Sequence, residues 1–264
     1  MEIHGGANMT PWDPHRYLHF GDERTRPSVE LAARIAVDAP KTIIDLGCGP
    51  GNSTQVLRRR WPAARVYGLD NSPEMIAAAQ KAYPGQEWVL GHIEDWSARE
   101  PHDVVFSNAA LQWTRNHAPL VQHLFRQVAP GGALAFQIPS GAFSPVRSFI
   151  HEIASREAWA DRMGEALAAL TMEEPHVYYD ALAPAAKSVD LWETEYHHVM
   201  ESPAAIVQWM SGTGLRPFLK ALDTEADQEH FVALLTQRVK ESYPLRSDGR
   251  VLFPFRRTLV IAYA

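Results

Sequence analysis

Short apolar runs alternate with amphipathic segments over residues 41–139 of the chain. A few consecutive apolar residues bounded by polar residues, glycine or proline predict a strand. Such runs occur at 42–46, 65–70, 87–90, 103–107 and 133–138. Helices are predicted between them, where capping residues or apolar positions of helical period occur, at 53–60, 72–83 and 118–128. Strands that alternate with helices indicate an α/β fold, a doubly wound and mostly parallel sheet.

The pattern changes after residue 140. Residues 141–190 and 203–242 predict mainly helices, whereas 192–199 and 251–262 predict two further strands, which makes a seven-stranded sheet. We therefore expect a single domain over residues 1–264. Its expected parts are a core of about 30–140, 191–200 and 250–264, a helical cap of about 141–190 and 201–249, and an N-terminal lid of 9–29.

A glycine-rich turn follows the first predicted strand and reads Asp45-Leu-Gly-Cys-Gly-Pro-Gly. Glycine permits backbone angles that other residues avoid and lets a ligand approach the main chain. Asn52 stands where the G-x-G-x-x-G turn of dinucleotide-binding proteins has its third glycine, so the spacing disfavours that class. Asp45 is also poorly placed for a pyrophosphate, whereas it suits a cationic ligand.

A second acid, Asp70, ends the next predicted strand. An ionised carboxylate accepts hydrogen bonds through both oxygens and therefore suits the two hydroxyls of a ribose. S-adenosylmethionine combines a ribose with an ammonium and a sulfonium group and has no phosphate, so it fits both acids. The pattern of an acid, three alternating glycines and a second strand-end acid resembles that of class I S-adenosylmethionine-dependent methyltransferases.

This resemblance implies a Rossmann-like sheet with a cofactor pocket at the carboxyl ends of its strands. It implies that Met75 packs against adenine and that Asn108 lies near the methionine part of the cofactor. His92 occupies a position at which the family often has an acid that accepts from the adenine amino group, and Glu94 or Asp95 are alternative acceptors. The residues implied to bind the cofactor are Asp45, Gly47, Cys48, Gly49, Asp70, Asn71, Met75, His92, Ile93, Asn108, Ala109 and Trp113.

Several motifs outside the glycine turn are more specific. They include Trp12-Asp-Pro-x-x-Tyr17, Asn108-Ala-Ala-Leu-Gln-Trp113, Leu215-Arg-Pro-Phe-Leu219 and Pro254-Phe-Arg-Arg257. Together they resemble the trans-aconitate 2-methyltransferase family over about residues 10–262. The resemblance implies arginine ligands for a polycarboxylic acid, because a guanidinium binds a carboxylate through two parallel bonds. The residues implied to bind the acceptor are Trp12, Tyr17, Arg24, Trp113, Arg216 and Arg256.

The resemblance also implies the reaction, in which a free carboxylate of trans-aconitate becomes a monomethyl ester and S-adenosylhomocysteine is released. A carboxylate is already ionised near pH 7 and needs no general base. We therefore predict no catalytic side chain, and expect catalysis by positioning. Gln112 and Trp113 are expected to lie near the transferred methyl group.

The composition of the chain argues against several classes of binding partner. The net charge of −6 and the lack of a long basic run argue against nucleic acid. No apolar run reaches the length of a membrane span, and the twelve histidines show no metal-ligand spacing, so neither membrane nor metal is expected. The single cysteine, Cys48, forms no internal disulfide and is consistent with the cytoplasm. We expect a small carboxylic acid as substrate and a monomer or weak homo-oligomer.

Three alternatives remain open at this point. The Leu-Gln-Trp stretch also resembles malonyl-carrier-protein methyltransferases, whose acidic carrier needs a basic docking surface. A protein that binds S-adenosylmethionine without turnover would have the same glycine turn. A nicotinamide-dependent dehydrogenase is the third alternative, and the glycine spacing disfavours it.

Overall fold

The computed structural model describes residues 21–140 and 144–264, with side chains from residue 25 onwards in those ranges. Its seven strands are β1 Thr42–Leu46, β2 Arg65–Asp70, β3 Glu87–Leu90, β4 His102–Asn108, β5 Val128–Pro139, β6 Ser188–Met200 and β7 Val251–Tyr263. They form one sheet in the order β3-β2-β1-β4-β5-β7-β6. β1 to β5 are parallel, and β7 runs antiparallel to both of its neighbours. The predicted doubly wound, mostly parallel fold is confirmed.

Two strands are longer than the sequence pattern predicts. β5 begins at Val128 rather than at 133, because Val128 pairs with His102 before the register shifts and Ala133 pairs with Val104. Pro130, Gly131 and Gly132 therefore lie inside the strand, where its pairing with β4 is irregular. β6 begins at Ser188 rather than at 192, because it pairs with β7 along its whole length.

Ten helices surround the sheet in the described ranges. They are α1 Gly21–Arg34, α2 Asn52–Arg60, α3 Pro73–Ala82, α4 His117–Phe125, α5 Pro145–Ala154, α6 Gly164–Leu167, α7 Pro175–Leu182, α8 Pro203–Ser211, α9 Arg216–Lys220 and α10 Glu225–Ser242. The predicted cap of α3 is confirmed, since the hydroxyl of Ser72 accepts from the Met75 amide at 3.3 Å.

The apolar core has three parts. Leu31 of α1, Ile35 just after it and Leu57 of α2 cover one face of the sheet. Helices α4 and α7 cover the other face, where Tyr178 is fully buried. A third cluster joins α5, α8, α9 and α10 around Trp209 and extends to the ends of β6 and β7. This cluster overhangs the carboxyl edge of the sheet and builds one wall of the larger cavity described below.

Part of the predicted lid is outside the described residues. Trp12 and Tyr17 belong to the segment 1–20, and the side chain of Arg24 is also outside the description. Residues 21–29 begin α1, which packs against α2 and β5. Within the described ranges, no helix is both long and apolar enough to cross a membrane. The same residues contain no cluster of His, Cys, Asp and Glu arranged to hold a metal ion.

Candidate active site

The loop between β1 and α2 has three glycines in the left-handed region of backbone space. Gly47, Gly49 and Gly51 have φ values of 72°, 54° and 96°. A Cβ on Gly47 would lie 2.1 Å from Ala110 Cβ, so that position excludes any side chain. A Cβ on Gly49 would meet nothing within 4 Å, so its backbone borders open space. The loop thus has the form of a cradle that leaves its main chain accessible to a ligand.

Asp70, at the end of β2, holds this loop in place. One carboxylate oxygen accepts from the Gly49 amide at 2.8 Å and the other accepts from the Ser72 amide at 2.9 Å. Burial raises the pKa of Asp70, and the backbone hydrogen bonds oppose that rise. The carboxylate has about four acceptor positions, so capacity remains for a ligand hydroxyl. The predicted ribose acceptor therefore also braces the glycine turn.

Asp45, at the end of β1, is fully buried behind the same loop. Its Oδ2 accepts from the hydroxyls of Ser53 at 2.6 Å and Thr54 at 2.7 Å. Its Oδ1 has no donor among the described residues. Burial raises the pKa of Asp45 to about 6, and the two hydroxyl bonds oppose the rise. A buried acid with an unused oxygen fits a ligand that carries an ammonium group beside this loop.

A small cavity lies at the glycine loop. It is lined by Thr25, Gly47, Cys48, Pro50, Asn52, Ser53 and Asn108. The structure therefore brings Asn108 of β4 to the same cavity as Gly47 and Cys48. Burial raises the pKa of the Cys48 thiol well above its usual value, so the thiol stays neutral. A Cβ on Gly68 would lie 2.7 Å from Cys48 Sγ, so this cysteine fills space between loop and sheet.

A larger cavity lies beside it, with about 1130 Å³ of space not filled by atoms, counted out to its open mouth. Its polar lining includes Gln112, Trp113, Ser140, Arg147, His151, Thr213, Arg256 and Arg257. Its apolar lining includes Ile150, Leu167, Leu170, Trp209, Met210, Phe218 and Phe255. Ala109 lines this cavity and its neighbour Asn108 lines the small one. The two cavities therefore adjoin at the end of β4.

Arg147, on α5, brings a half-buried cation into the larger cavity. Its Nη1 lies 3.1 Å from the sulfur of Met172, which is a weak acceptor. Burial alone lowers the pKa of Arg147, and no carboxylate of the described residues pairs with it. His151 lies one turn further along α5, and burial lowers its pKa, with a smaller contribution from the Arg147 charge. An anion bound in this cavity would neutralise the guanidinium.

Two further arginines enter the cavity from β7. Arg256 pairs with Glu195 at 3.4 Å and with Glu193 at 3.9 Å on the neighbouring strand. Arg257 is buried and donates to the side-chain oxygen of Gln137 at 3.1 Å. The cavity therefore has cations on two sides, from α5 and from β7.

The loop that joins the two cavities is braced by Gln112. Its Nε2 donates to the backbone oxygen of Ala109 at 2.6 Å, and its own backbone oxygen accepts from the Thr171 amide at 2.9 Å. Trp113 ends the short 3₁₀ turn Leu111–Trp113 and lines the larger cavity. Both residues predicted to lie near the methyl group thus line the larger cavity, in the segment that follows β4.

Other predicted residues line neither cavity. Arg216 begins α9, is half-buried beside Glu74, and lines neither cavity. Met75 is buried at the start of α3, and Ile93 packs near Gly47. His92 and Asn71 are exposed on the loops that follow β3 and β2.

Sequence reasoning missed Arg147 and His151. Their spacing of four residues puts both on one face of a helix, which was the available signal. Nothing in the sequence indicates that this face of α5 overhangs the sheet edge, because that depends on how the third apolar cluster packs.

Comparison with known proteins agrees with this arrangement. A family model described as a methyltransferase domain matches residues 43–132. The trans-aconitate 2-methyltransferase of Escherichia fergusonii is 43% identical over 254 residues, which covers 96% of this chain and 98% of the relative. That of Acidovorax ebreus is 46% identical over 257 residues, with the same coverage. That of Azoarcus sp. strain BH72 is 44% identical over 256 residues and 99% of its length.

Solved structures share the fold at low identity. The YcgJ protein of Bacillus subtilis has a TM-score of 0.60 at 13% identity, over 90% of this chain and 98% of that one. The phosphoethanolamine N-methyltransferase 2 of Haemonchus contortus, solved with S-adenosylhomocysteine, has a TM-score of 0.55 at 13% identity, over 90% and 52% of the two chains. These similarities concern the fold alone.

Proposed function

We propose, on the premise that this chain belongs to the trans-aconitate 2-methyltransferase family, that it transfers a methyl group from S-adenosylmethionine to a carboxylate of trans-aconitate. The products are the monomethyl ester and S-adenosylhomocysteine. The cofactor, when bound, supplies a methyl group made electrophilic by a sulfonium. The remaining work of the protein is to bind both molecules, orient the carboxylate and keep water away.

The small cavity and the glycine loop are the proposed cofactor site. Asp45 faces the ammonium group of the cofactor and Asp70 accepts from its ribose hydroxyls. The open backbone at Gly49 and the unused Oδ1 of Asp45 support this assignment. Asn108 contributes from the end of β4, Met75 packs against the adenine, and the loop that carries His92 lies beside its amino group.

The larger cavity is the proposed acceptor site, and Arg147 carries this proposal. It is a half-buried cation, no carboxylate of the described residues pairs with it, and its cavity adjoins the cofactor site. A polycarboxylate supplies the missing negative charge, and Arg256 and Arg257 face it from β7. The acceptor oxygen needs no base, so the cavity acts by holding it in line with the methyl group.

A direct test is detection of the product. Purified protein is incubated with labelled S-adenosylmethionine and a panel of di- and tricarboxylic acids, and methyl esters are measured by mass spectrometry. We expect a monomethyl ester from trans-aconitate. Binding of S-adenosylhomocysteine with no ester from any acid would instead indicate a binding protein without turnover.

Replacing Arg147 with methionine is expected to raise the KM for trans-aconitate at least tenfold and to leave the Kd of S-adenosylhomocysteine within twofold. The variant keeps an apolar side chain against Met172 but removes a charged hydrogen bond, which contributes about 1.5–3 kcal/mol. Steady-state kinetics and calorimetry measure the two constants.

A matched control for this variant is Arg162→Met. Arg162 is a partly buried arginine of the cap that pairs with Asp223 and Asp227, outside both cavities. It should change neither constant. Equal losses of acceptor and cofactor binding in Arg147→Met would show that Arg147 is structural.

We also propose a compartment and an oligomeric state for the enzyme. We place it in the cytoplasm, as a monomer or weak homo-oligomer that does not bind nucleic acid. The net charge of −6 and a single, buried cysteine support this setting. Size-exclusion chromatography with light scattering measures the oligomeric state.

A further inference from the structure

A chain of buried hydrogen bonds connects the two cavities. Arg257 Nη1 donates to Gln137 Oε1 at 3.1 Å, and Gln137 Nε2 donates to Asn108 Oδ1 at 2.7 Å. Gln137 is 0% exposed, and its two partners are also buried. Arg257 lines the larger cavity and Asn108 lines the small one. Gln137 itself lines neither, so its side chain acts only through its neighbours.

The direction of this chain follows from the chemistry of its first member. A guanidinium has only donors, so the oxygen of the Gln137 amide must face Arg257. The nitrogen of that amide then faces Asn108, and the oxygen of the Asn108 amide must face Gln137. The nitrogen of Asn108 is left on the side away from Gln137. An isolated asparagine could turn either end of its amide to a ligand, whereas this one has a single favourable orientation.

We propose that Gln137 is a positioning residue, which fixes Asn108 as a hydrogen-bond donor toward the carboxylate at the amino-acid end of the cofactor. The inference rests on the proposed cofactor site and deepens it. Asp45 is assigned to the ammonium group of that amino acid, and Asn108 to its carboxylate. The two ends of the amino acid thus meet groups of opposite hydrogen-bonding character, an acceptor and a donor.

Backbone pairing between β4 and β5 holds Gln137 in place independently of its side chain. Gln137 and Asn108 are register partners on β5 and β4, and the Ala109 amide donates to the Gln137 carbonyl at 2.9 Å. A substitution at Gln137 therefore leaves the strand pairing intact. The effect of such a substitution on ligands reports on the amide group.

Gln137→Glu is the test, because it keeps the size and an oxygen for Arg257 but removes the donor. Asn108 then turns its nitrogen toward the new carboxylate and its oxygen toward the ligand. We expect the affinity for S-adenosylhomocysteine to fall at least fivefold by calorimetry. The affinity for 5′-methylthioadenosine, which lacks the amino-acid end, should stay within twofold.

A double variant separates positioning from a general structural role. In an Asn108→Ala background, Gln137→Glu should cause no further loss of S-adenosylhomocysteine affinity, because the group that it reorients is gone. If Gln137→Glu does not fold, Asn108→Asp tests the same donor, since it replaces the nitrogen with an oxygen. It should weaken S-adenosylhomocysteine binding and spare 5′-methylthioadenosine.

The outcomes distinguish this inference from the proposed function. Equal losses for both ligands, an unchanged affinity for S-adenosylhomocysteine, or an additional loss in the Asn108→Ala background would each overturn the role of Gln137. Failure of the wild-type protein to bind either ligand would instead overturn the cofactor site itself.

Discussion

Asp70→Ala is expected to weaken S-adenosylhomocysteine binding ten- to a hundredfold. The substitution removes an ionised acceptor for the ribose hydroxyls, and hydrogen bonds to charged groups contribute about 1.5–3 kcal/mol. It also removes the carboxylate that holds the Gly49 amide at 2.8 Å and the Ser72 amide at 2.9 Å. The glycine cradle then loses its brace as well as its ligand contact. Calorimetric titration with S-adenosylhomocysteine measures the change.

The chain offers a matched control for Asp70. Asp103, at the opposite edge of the sheet, accepts from the backbone amides of Lys41 at 2.6 Å and Thr42 at 2.9 Å. Asp103→Ala therefore removes the same kind of backbone brace far from the cavities. It should lower the thermal stability and leave the cofactor affinity unchanged. An Asp70→Ala protein that binds S-adenosylhomocysteine as tightly as the wild type would refute the ribose assignment.

Asp45→Asn is expected to stabilise the ligand-free protein while it weakens cofactor binding. Burial raises the pKa of Asp45 from 3.8 to about 6, so the ionised side chain costs the folded state on the order of 3 kcal/mol above pH 6. Asparagine keeps the size and removes the charge. We expect the melting temperature at pH 7.5 to rise by about 5–10 °C, measured without ligand.

The stability gained by Asp45→Asn should depend on pH, in a direction that follows from the raised pKa of Asp45. A carboxyl group with a raised folded pKa destabilises the protein where it is ionised, and the penalty disappears as pH falls from the folded pKa toward the unfolded one. The advantage of Asp45→Asn should therefore shrink between pH 7.5 and pH 5. An advantage that stays constant with pH would show that the charge of Asp45 is not its source.

The negative charge of Asp45 should also strengthen the binding of the cofactor. Because the cofactor amine is assigned to Asp45, binding favours the ionised form, and the affinity of the wild type for S-adenosylhomocysteine should decrease as pH falls below about 6. The Asp45→Asn variant should bind more weakly at pH 7.5 and show little change with pH. If the variant is more stable but binds with wild-type affinity, Asp45 acts only in packing the loop.

The best sequence predictions concern features that depend on neighbours along the chain. The bounds of β1, β2 and β3 match the predicted strands, and Ser72 caps α3 as its position before Pro73 indicates. The predictions differ from the structure where pairing partners are distant. β6 is longer than its apolar pattern because β7 pairs with it from Ser188 to Met200.

The residues of the candidate site show the same difference between features that depend on neighbours along the chain and features that depend on distant partners. The glycine turn and its two acids are identifiable because their chemistry lies in a few consecutive residues at strand ends. Arg147 is not identifiable in this way, because its place over the sheet edge depends on the packing of α5 against α8 and α10. Arg216 shows the converse. A specific motif indicates it, yet Arg216 lies beside Glu74 and does not itself line the larger cavity, which Gly214 and Phe218 do.

The chain alone determined the α/β class, the glycine cradle and the two acids behind it, since periodicity, backbone freedom and capping act over a few residues. Only the tertiary structure decided which cations line the larger cavity and that Gln137 joins Arg257 to Asn108 through hydrogen bonds. Those relations join β4, β5, β7 and α5, which are far apart in the chain and meet only when the sheet and the cap pack together. The sequence determines the charge of a side chain, but the fold determines which groups that side chain contacts.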